Sequence, residues 1–340
     1  MKHLTPALSA LAALLLFSAP ALAGGEGWLT NLEQAKEQAK EEGKDVLIDF
    51  TGSDWCGWCI RLKKEVWSTE AWKAEGSKRY VLVELDFPRR TPQSEETKAY
   101  NRALQAQFGV QGFPTIALLD SEGRPYAMTG YQKGGPEVYL KHLEELGKRK
   151  AEIKALVAAA EKSENVAKGL DEVLTKLEGW RVAFGYSELQ EKIVAADPKN
   201  EAGLGLKHAK ALAKGASARK DAESYKRHLE AVKGMDPKEA QALEDAIAAA
   251  TLGSELEAAL TPLASKNDWK GAAALLEKDY LEKHPEGVGG QVVRFYLGIC
   301  KFRTGDKAVA IETLKAAKDL APEGPMAEQI DGLLKKLSAQ

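Results

Sequence analysis

The sequence predicts an α/β domain followed by an all-α domain, and three observations carry that reading. Short apolar runs at Asp45–Phe50 and Tyr80–Phe87 alternate with helical patterns, an order that builds a layered α/β unit. A third run, Ile116–Leu119, is turned by Asp120, Ser121, Glu122 and Gly123 into Pro125–Gly130, as in a hairpin. From Ala151 onward strand signals vanish, and alanine, leucine, lysine and glutamate dominate.

Composition narrows the class before any motif is read. A hydrophobic content of 44% and a charged content of 29% describe a globular chain rather than a disordered or membrane-embedded one. Lys plus Arg number 48 against 50 Asp plus Glu, with no basic stripe, which argues against nucleic acid as a partner.

The first residues read as an address. Lys2 and His3 precede an apolar run, Ala7–Phe17, and Pro20-Ala21-Leu22-Ala23 supplies the small-x-small pattern of a cleavage site. Residues 1–23 are therefore expected to be a signal peptide cut after Ala23, delivering the protein to the periplasm or outside the cell. A retained membrane anchor is the alternative, but the run is short for a bilayer and Pro20 interrupts its end.

In the α/β half, Trp28–Gly43 carries Leu29, Leu32, Ala35 and Ala39 at helical spacing, and Gly43 ends it as a C-cap. Asp45–Phe50 follows as a strand and runs into FTGSDWCGWC, Phe50–Cys59, after which Ile60–Trp67 is helical. Tyr80–Phe87, stopped by Pro88, is a second strand, parallel to the first. Ala99–Phe108 reads as helix, Gly112-Phe113-Pro114-Thr115 opens the hairpin, and Pro136 starts a helix running toward Ala160.

Chemistry concentrates at the cysteines. Two cysteines in one helical turn point the same way, with Cα atoms roughly 5.5 Å apart, a separation that suits a disulfide. The helix N-terminus presents unpaired N–H groups and a partial positive charge to Cys56, favouring its thiolate and making it the nucleophile. Cys59, deeper in the helix, is the resolving thiol. In an oxidising compartment a bridge closing a two-residue gap restrains almost nothing in the unfolded chain, so redox work explains the pair better than stapling does. Zinc is the other reading, but it needs four ligands, and the chain offers only Cys300 and five dispersed histidines to complete the set.

Residues 27 to about 148 resemble a thioredoxin domain. The likeness rests on Trp55-Cys56-Gly57-Trp58-Cys59 after a strand, Gly112-Phe113-Pro114-Thr115 before a hairpin, and Gly130 at its end. The wording of Phe50–Cys59 is similar to that of secreted bacterial thioredoxin-like proteins. The resemblance implies Cys56 as attacking thiolate, Cys59 as resolving thiol, a Cys56–Cys59 disulfide in the oxidised form, and Pro114 as a cis proline packed against the pair. It also implies that Trp55, Gly57, Trp58 and Phe113 face the peptide substrate. Asp49 matches the family's buried aspartate if Thr51–Asp54 holds one extra residue, and a carboxyl behind Cys59 could take the thiol proton. Glu84 stands where the family often has lysine; it is either a second proton acceptor or a charge at a strand edge. Asp54 is read as a solvated loop residue. Trp58 departs from the family's proline or histidine and adds no charge to stabilise Cys56.

The second half carries a weaker resemblance, to tetratricopeptide repeats. Phe295–Pro322 places Leu297, Gly298, Gly305, Asp306, Ala310, Ile311 and Pro322 at the repeat's positions, with Gly305 turning the chain between two helices. Looser helix pairs close at Asp236-Pro237 and His284-Pro285, and Met326–Leu337 would cap the array. The expected organisation is residues 24–148 as the thioredoxin-like domain, 149–199 as a helical connector, and 200–340 as repeats, with residues 24–150 able to fold alone. Cys300 reads as an unpaired core thiol, and His208 and His228 as solvated helix faces.

Together these features predict an exported thiol-disulfide oxidoreductase that acts on protein disulfides, needs no cofactor beyond its cysteines, and is recharged by a membrane electron donor or another redox partner. An uncharged Trp58, and Glu84 in place of lysine, predict a reductase with a potential below roughly -220 mV. Isomerase or oxidase activity is the alternative. So is an adaptor whose repeats bind a client while the thioredoxin-like fold serves as scaffold.

Overall fold

The computed structural model describes residues 27–338, so the predicted signal peptide lies outside the described residues. The chain forms two compact units. The first holds the described residues up to Ala159 together with Glu172–Tyr186; the second holds Ala160–Asp171 and the residues from Ser187 onward.

A five-stranded mixed sheet organises the first unit, in the order β1-β3-β2-β4-β5. Its strands are β1 (Trp28–Leu29), β2 (Asp45–Thr51), β3 (Tyr80–Asp86), β4 (Thr115–Leu119) and β5 (Pro125–Thr129). β2 is central: it runs parallel to β3, with Asp49 level with Glu84, and antiparallel to β4. Every residue of β2 after Asp45 is buried, as a strand covered on both faces requires. Alternation sends Val46, Ile48 and Phe50 into one core with Ala35 and Ala39 of α1 (Leu32–Glu42) and with Leu104 of α4 (Glu95–Gln107). It sends Asp49 the other way.

The predicted Trp28–Gly43 helix is shorter at its start. Trp28 and Leu29 pair with Leu82 and Val83 as an edge strand, and α1 begins only after Asn31, whose side chain accepts the Gln34 N–H as an N-cap. Gly43 ends it in the left-handed conformation, as expected. α4 begins earlier than Ala99 because Ser94 caps it through the Thr97 N–H. α3 (Glu70–Arg79), capped by Thr69, was not anticipated.

α5 runs over Gly135–Ala160 and α6 over Val166–Gly179, so the predicted boundary at 148 falls inside a helix. The tail of the first unit packs closely on its sheet. The Tyr186 hydroxyl donates to the Pro125 carbonyl at 2.9 Å, Phe184 stacks on Phe108, and Arg181 donates to the Gly109 carbonyl. At Gly185 the Pro125 ring lies 2.2 Å from where a Cβ would sit, so no larger residue fits. A chain ending at 150 loses these contacts along with buried Leu174, Leu177 and Val182. It is expected to be less stable than one ending at 186 by about 3 kcal/mol or more, from apolar burial alone. Urea midpoints of the two fragments measure the difference; equal midpoints would restore the boundary at 148.

The second unit is helical. It comprises α7 (Ser187–Ala196), α8 (Leu204–Ala218), α9 (Ala222–Met235), α10 (Pro237–Ala264), α11 (Trp269–Leu275), α12 (Gly287–Arg303), α13 (Lys307–Leu320) and α14 (Ala327–Ser338). Asp236 closes α9 and caps α10 by accepting the N–H groups of Lys238 and Glu239. Between α12 and α13 the chain turns at Gly305, with φ +88°, and Gly298 lets Leu314 approach to 2.7 Å from where a Cβ would stand. His208 and His228 are buried rather than solvated. His208 hydrogen-bonds Asp171 at 2.7 Å, because α8 packs that face inward. Among the described residues no helix is long and apolar enough to cross a membrane.

Candidate active site

β2 ends at Thr51, and the loop that follows delivers Cys56 to the N-cap of α2 (Gly57–Leu62), with Cys59 inside its first turn. Cys56 and Cys59 form a disulfide with Cα atoms 5.3 Å apart. Both are buried, and among the described residues the only hydrogen bond to either sulfur is the Cys59 N–H donating to Cys56 Sγ at 3.2 Å. That donor belongs to the unpaired N–H groups of the helix start, which favour negative charge on Cys56. The Phe113–Pro114 peptide is cis. Thr115, the next residue, pairs with Phe50, so Pro114 stands at the strand end from which the cysteine loop departs. Gly130 lies close beside it: a Cβ there would stand 3.2 Å from the Pro114 carbonyl oxygen, a tight contact.

Behind the pair lies a cavity of about 340 Å³ lined by Asp49, Thr51, Cys59, Lys63, Ser68 and Glu84. A π-helical turn, Lys63–Trp67, continues α2, and the Trp67 indole N–H donates to Asp49 Oδ2 at 2.8 Å. Asp49 Oδ1 has no partner. Burial pushes the Asp49 carboxyl up to about 7; Trp67 opposes this, and Glu84 adds to it. Burial also raises Glu84, against the pull of Lys63, whose ammonium lies 3.6 Å away. The cation that the thioredoxin resemblance puts on β3 is thus supplied here from the π-helical turn that follows α2. Asp49, Glu84 and Cys59, read from the sequence, share one cavity; Lys63 and Lys64, which also line it, were missed, because nothing in the sequence sets them apart from the chain's other lysines.

Trp58 is 56% exposed, beside Tyr131 at 5.2 Å between ring centroids, and Gly57 is exposed next to it. Trp55 is half-buried. Its indole N–H donates to the Phe87 carbonyl at 2.7 Å and its ring meets Phe113 edge-on. Trp67 and Trp72 are interior packing residues.

Asp54 is not a solvated bystander. Its carboxylate accepts the backbone N–H groups of Arg89, Arg90 and Thr91 at 2.8–2.9 Å, and these bonds hold it down at about 2. Ser53 meanwhile donates twice to Asp86. The residues before Cys56 are therefore tied to the segment after β3, a link across 35 residues that no local pattern reveals. Cys300, by contrast, sits in the core of the second unit, where burial raises its thiol pKa. Among the described residues no cluster of three or more His, Cys, Asp or Glu side chains could hold a metal ion.

A parallel-antiparallel sheet bearing a cysteine pair at a helix start and a cis proline alongside defines a thioredoxin-like domain, and residues 32–147 match the family model described as a thioredoxin-like domain. The chain is 36% identical over 107 residues to the disulfide bond reductase DsbH of Chlamydia pneumoniae, across 32% of this chain and 64% of that protein. It is 32% identical over 125 residues to the thioredoxin-related protein DsbJ of the same organism, covering 34% and 36%. It is also 32% identical over 122 residues to the thiol:disulfide interchange protein DsbD of Vibrio cholerae, covering 35% and 18%. A solved DsbH oxidoreductase structure shares 33% identity, covering 39% of this chain and 92% of that one, at a TM-score of 0.35. The chain thus spans less than two thirds of each of these three curated relatives.

Proposed function

We propose that this protein is an exported disulfide reductase acting on protein disulfides, with residues 1–23 removed, the thioredoxin-like unit carrying the chemistry and the helical unit serving as a repeat module that binds a client. The observation that carries the chemistry is the raised Asp49 carboxyl in one cavity with Cys59, while Cys56 caps the helix. In the dithiol form the Cys56 thiolate attacks a substrate disulfide and expels one substrate thiolate, which takes a proton. Asp49 accepts the Cys59 proton, directly or through water in the cavity, and the Cys59 thiolate attacks Cys56 Sγ. The second substrate thiol leaves, two electrons have passed to the substrate, and the Cys56–Cys59 disulfide remains. A dithiol donor at the membrane would return it to the reduced form.

The direction rests on charge. Trp58 brings none, Lys63 and Arg61 are each paired, with Glu84 and Glu65, and Arg89 on Trp55 lies beside the Asp54 carboxylate, leaving the helix start as the main stabiliser of the thiolate. A weakly stabilised thiolate favours the disulfide and makes the dithiol reducing. The expected potential is below roughly -220 mV, with turnover of insulin disulfides by the full chain. Equilibration in glutathione buffers measures it; a dithiol still reduced near about -150 mV would mean an oxidase or isomerase. Absence of turnover with a normal potential would favour the scaffold reading.

A further inference from the structure

The two tryptophans flanking Cys56 each carry an arginine, but the two arginines differ in state. On the Trp58 side, Arg61 lies 5.7 Å from the ring and spends its charge on Glu65 at 2.7 Å, and Glu65 also accepts the Tyr131 hydroxyl at 2.6 Å. On that side Arg61 is paired, and the exposed surface is apolar at Trp58 and Ile60. On the Trp55 side, the Arg89 guanidinium lies 3.8 Å from the ring centroid and makes no salt bridge among the described residues. The nearby carboxylates accept neutral donors, Asp54 the N–H groups of residues 89–91 and Asp86 the Ser53 N–H and O–H; neither makes a salt bridge with Arg89, although Asp54 keeps its negative charge beside it. Arg89 is exposed, and Arg90 follows it on the same strap.

We infer that Arg89 is a specificity-determining residue, a stacked cation that selects disulfide substrates carrying a carboxylate beside the reacting cysteine. A guanidinium lying flat on an indole keeps its in-plane N–H donors free, and a carboxylate can accept two of them side by side. Asp54 is the positioning residue. By gripping three successive backbone N–H groups it holds the Arg89 backbone in register with Trp55, one residue from Cys56. Polarity follows: a substrate strand lies with its acidic side toward Trp55 and its apolar side toward Trp58.

This inference rests on the reading of Cys56 as nucleophile, and its test separates the two. Three cystine peptides, identical except for Glu, Gln or Lys next to the cysteine, are reduced by the full chain at low and high salt. Attraction of Glu and repulsion of Lys at an exposed cation together give an expected kcat/KM ratio, Glu over Lys, of about five to ten, residing in KM and shrinking with salt. Arg89→Gln should bring the ratio close to one, and Arg89→Lys should restore part of it. A wild-type ratio near one, a preference for Lys, or a ratio unchanged in Arg89→Gln would each overturn the inference. No turnover of any of the three peptides would overturn the proposed function, and the inference with it.

Discussion

Cys59→Ser is expected to leave the protein covalently joined to its substrates, whereas Cys56→Ser is expected to form no such complex. Cys56 occupies the N-cap, where the Cys59 N–H points at its sulfur, and it is the cysteine that the helix start favours as thiolate. Cys59 lies inside the helix, against the cavity that holds Asp49. A serine hydroxyl at 59 cannot displace the substrate sulfur, so the mixed disulfide persists and turnover falls by at least about 10³-fold. Non-reducing gels of substrate mixtures, with mass spectrometry of the bridged peptide, read the outcome. Equal trapping by both variants would refute the assigned roles.

Asp49→Asn is expected to make the protein more stable at alkaline pH and a worse enzyme at the same time. An aspartate in the unfolded chain titrates near about 4, whereas burial holds Asp49 at about 7 in the folded state. Between these values the native protein binds the proton that the unfolded chain has released, so wild-type stability falls as pH rises through this window and stays lower above it. Asparagine can still accept the Trp67 indole N–H but does not titrate. The variant should match wild type near pH 4 and exceed it by about 4 kcal/mol at pH 8, read as a shift in urea midpoint with the disulfide closed. Resolution of the mixed disulfide should slow by about 10²-fold, and its dependence on an ionisation near 7 should disappear. Glu84→Gln is the control. Loss of that pH dependence in Glu84→Gln, with Asp49→Asn unaffected, would transfer the proton to Glu84 and leave Asp49 as a structural charge.

The α/β layer, the cysteine turn, the hairpin and the predominantly helical second half were legible in the sequence, because each is a local matter. Strand β2 shows as a continuous apolar run because it is covered on both faces, and Gly43 and Gly305 mark turns that need a left-handed backbone. Cys56 and Cys59 declare themselves because one helical turn fixes their separation, and Asp49 because its place on the strand just ahead of them is set by chain order. Tertiary structure decided what depends on partners far along the chain. Asp45–Thr51 and Tyr80–Asp86 had to pair in register before Asp49 faced Glu84, and the π-helical turn after α2 had to fold over them before Lys63 replaced a cation missing from β3. Asp54 looked solvated because its three backbone donors lie 35 to 37 residues downstream. The tail Glu172–Tyr186, read as connector, joined the first unit because Tyr186 and Phe184 found partners on Pro125 and Phe108. A sequence pattern reports which face of an element wants burial; which distant group satisfies it is settled only when the chain has closed around both.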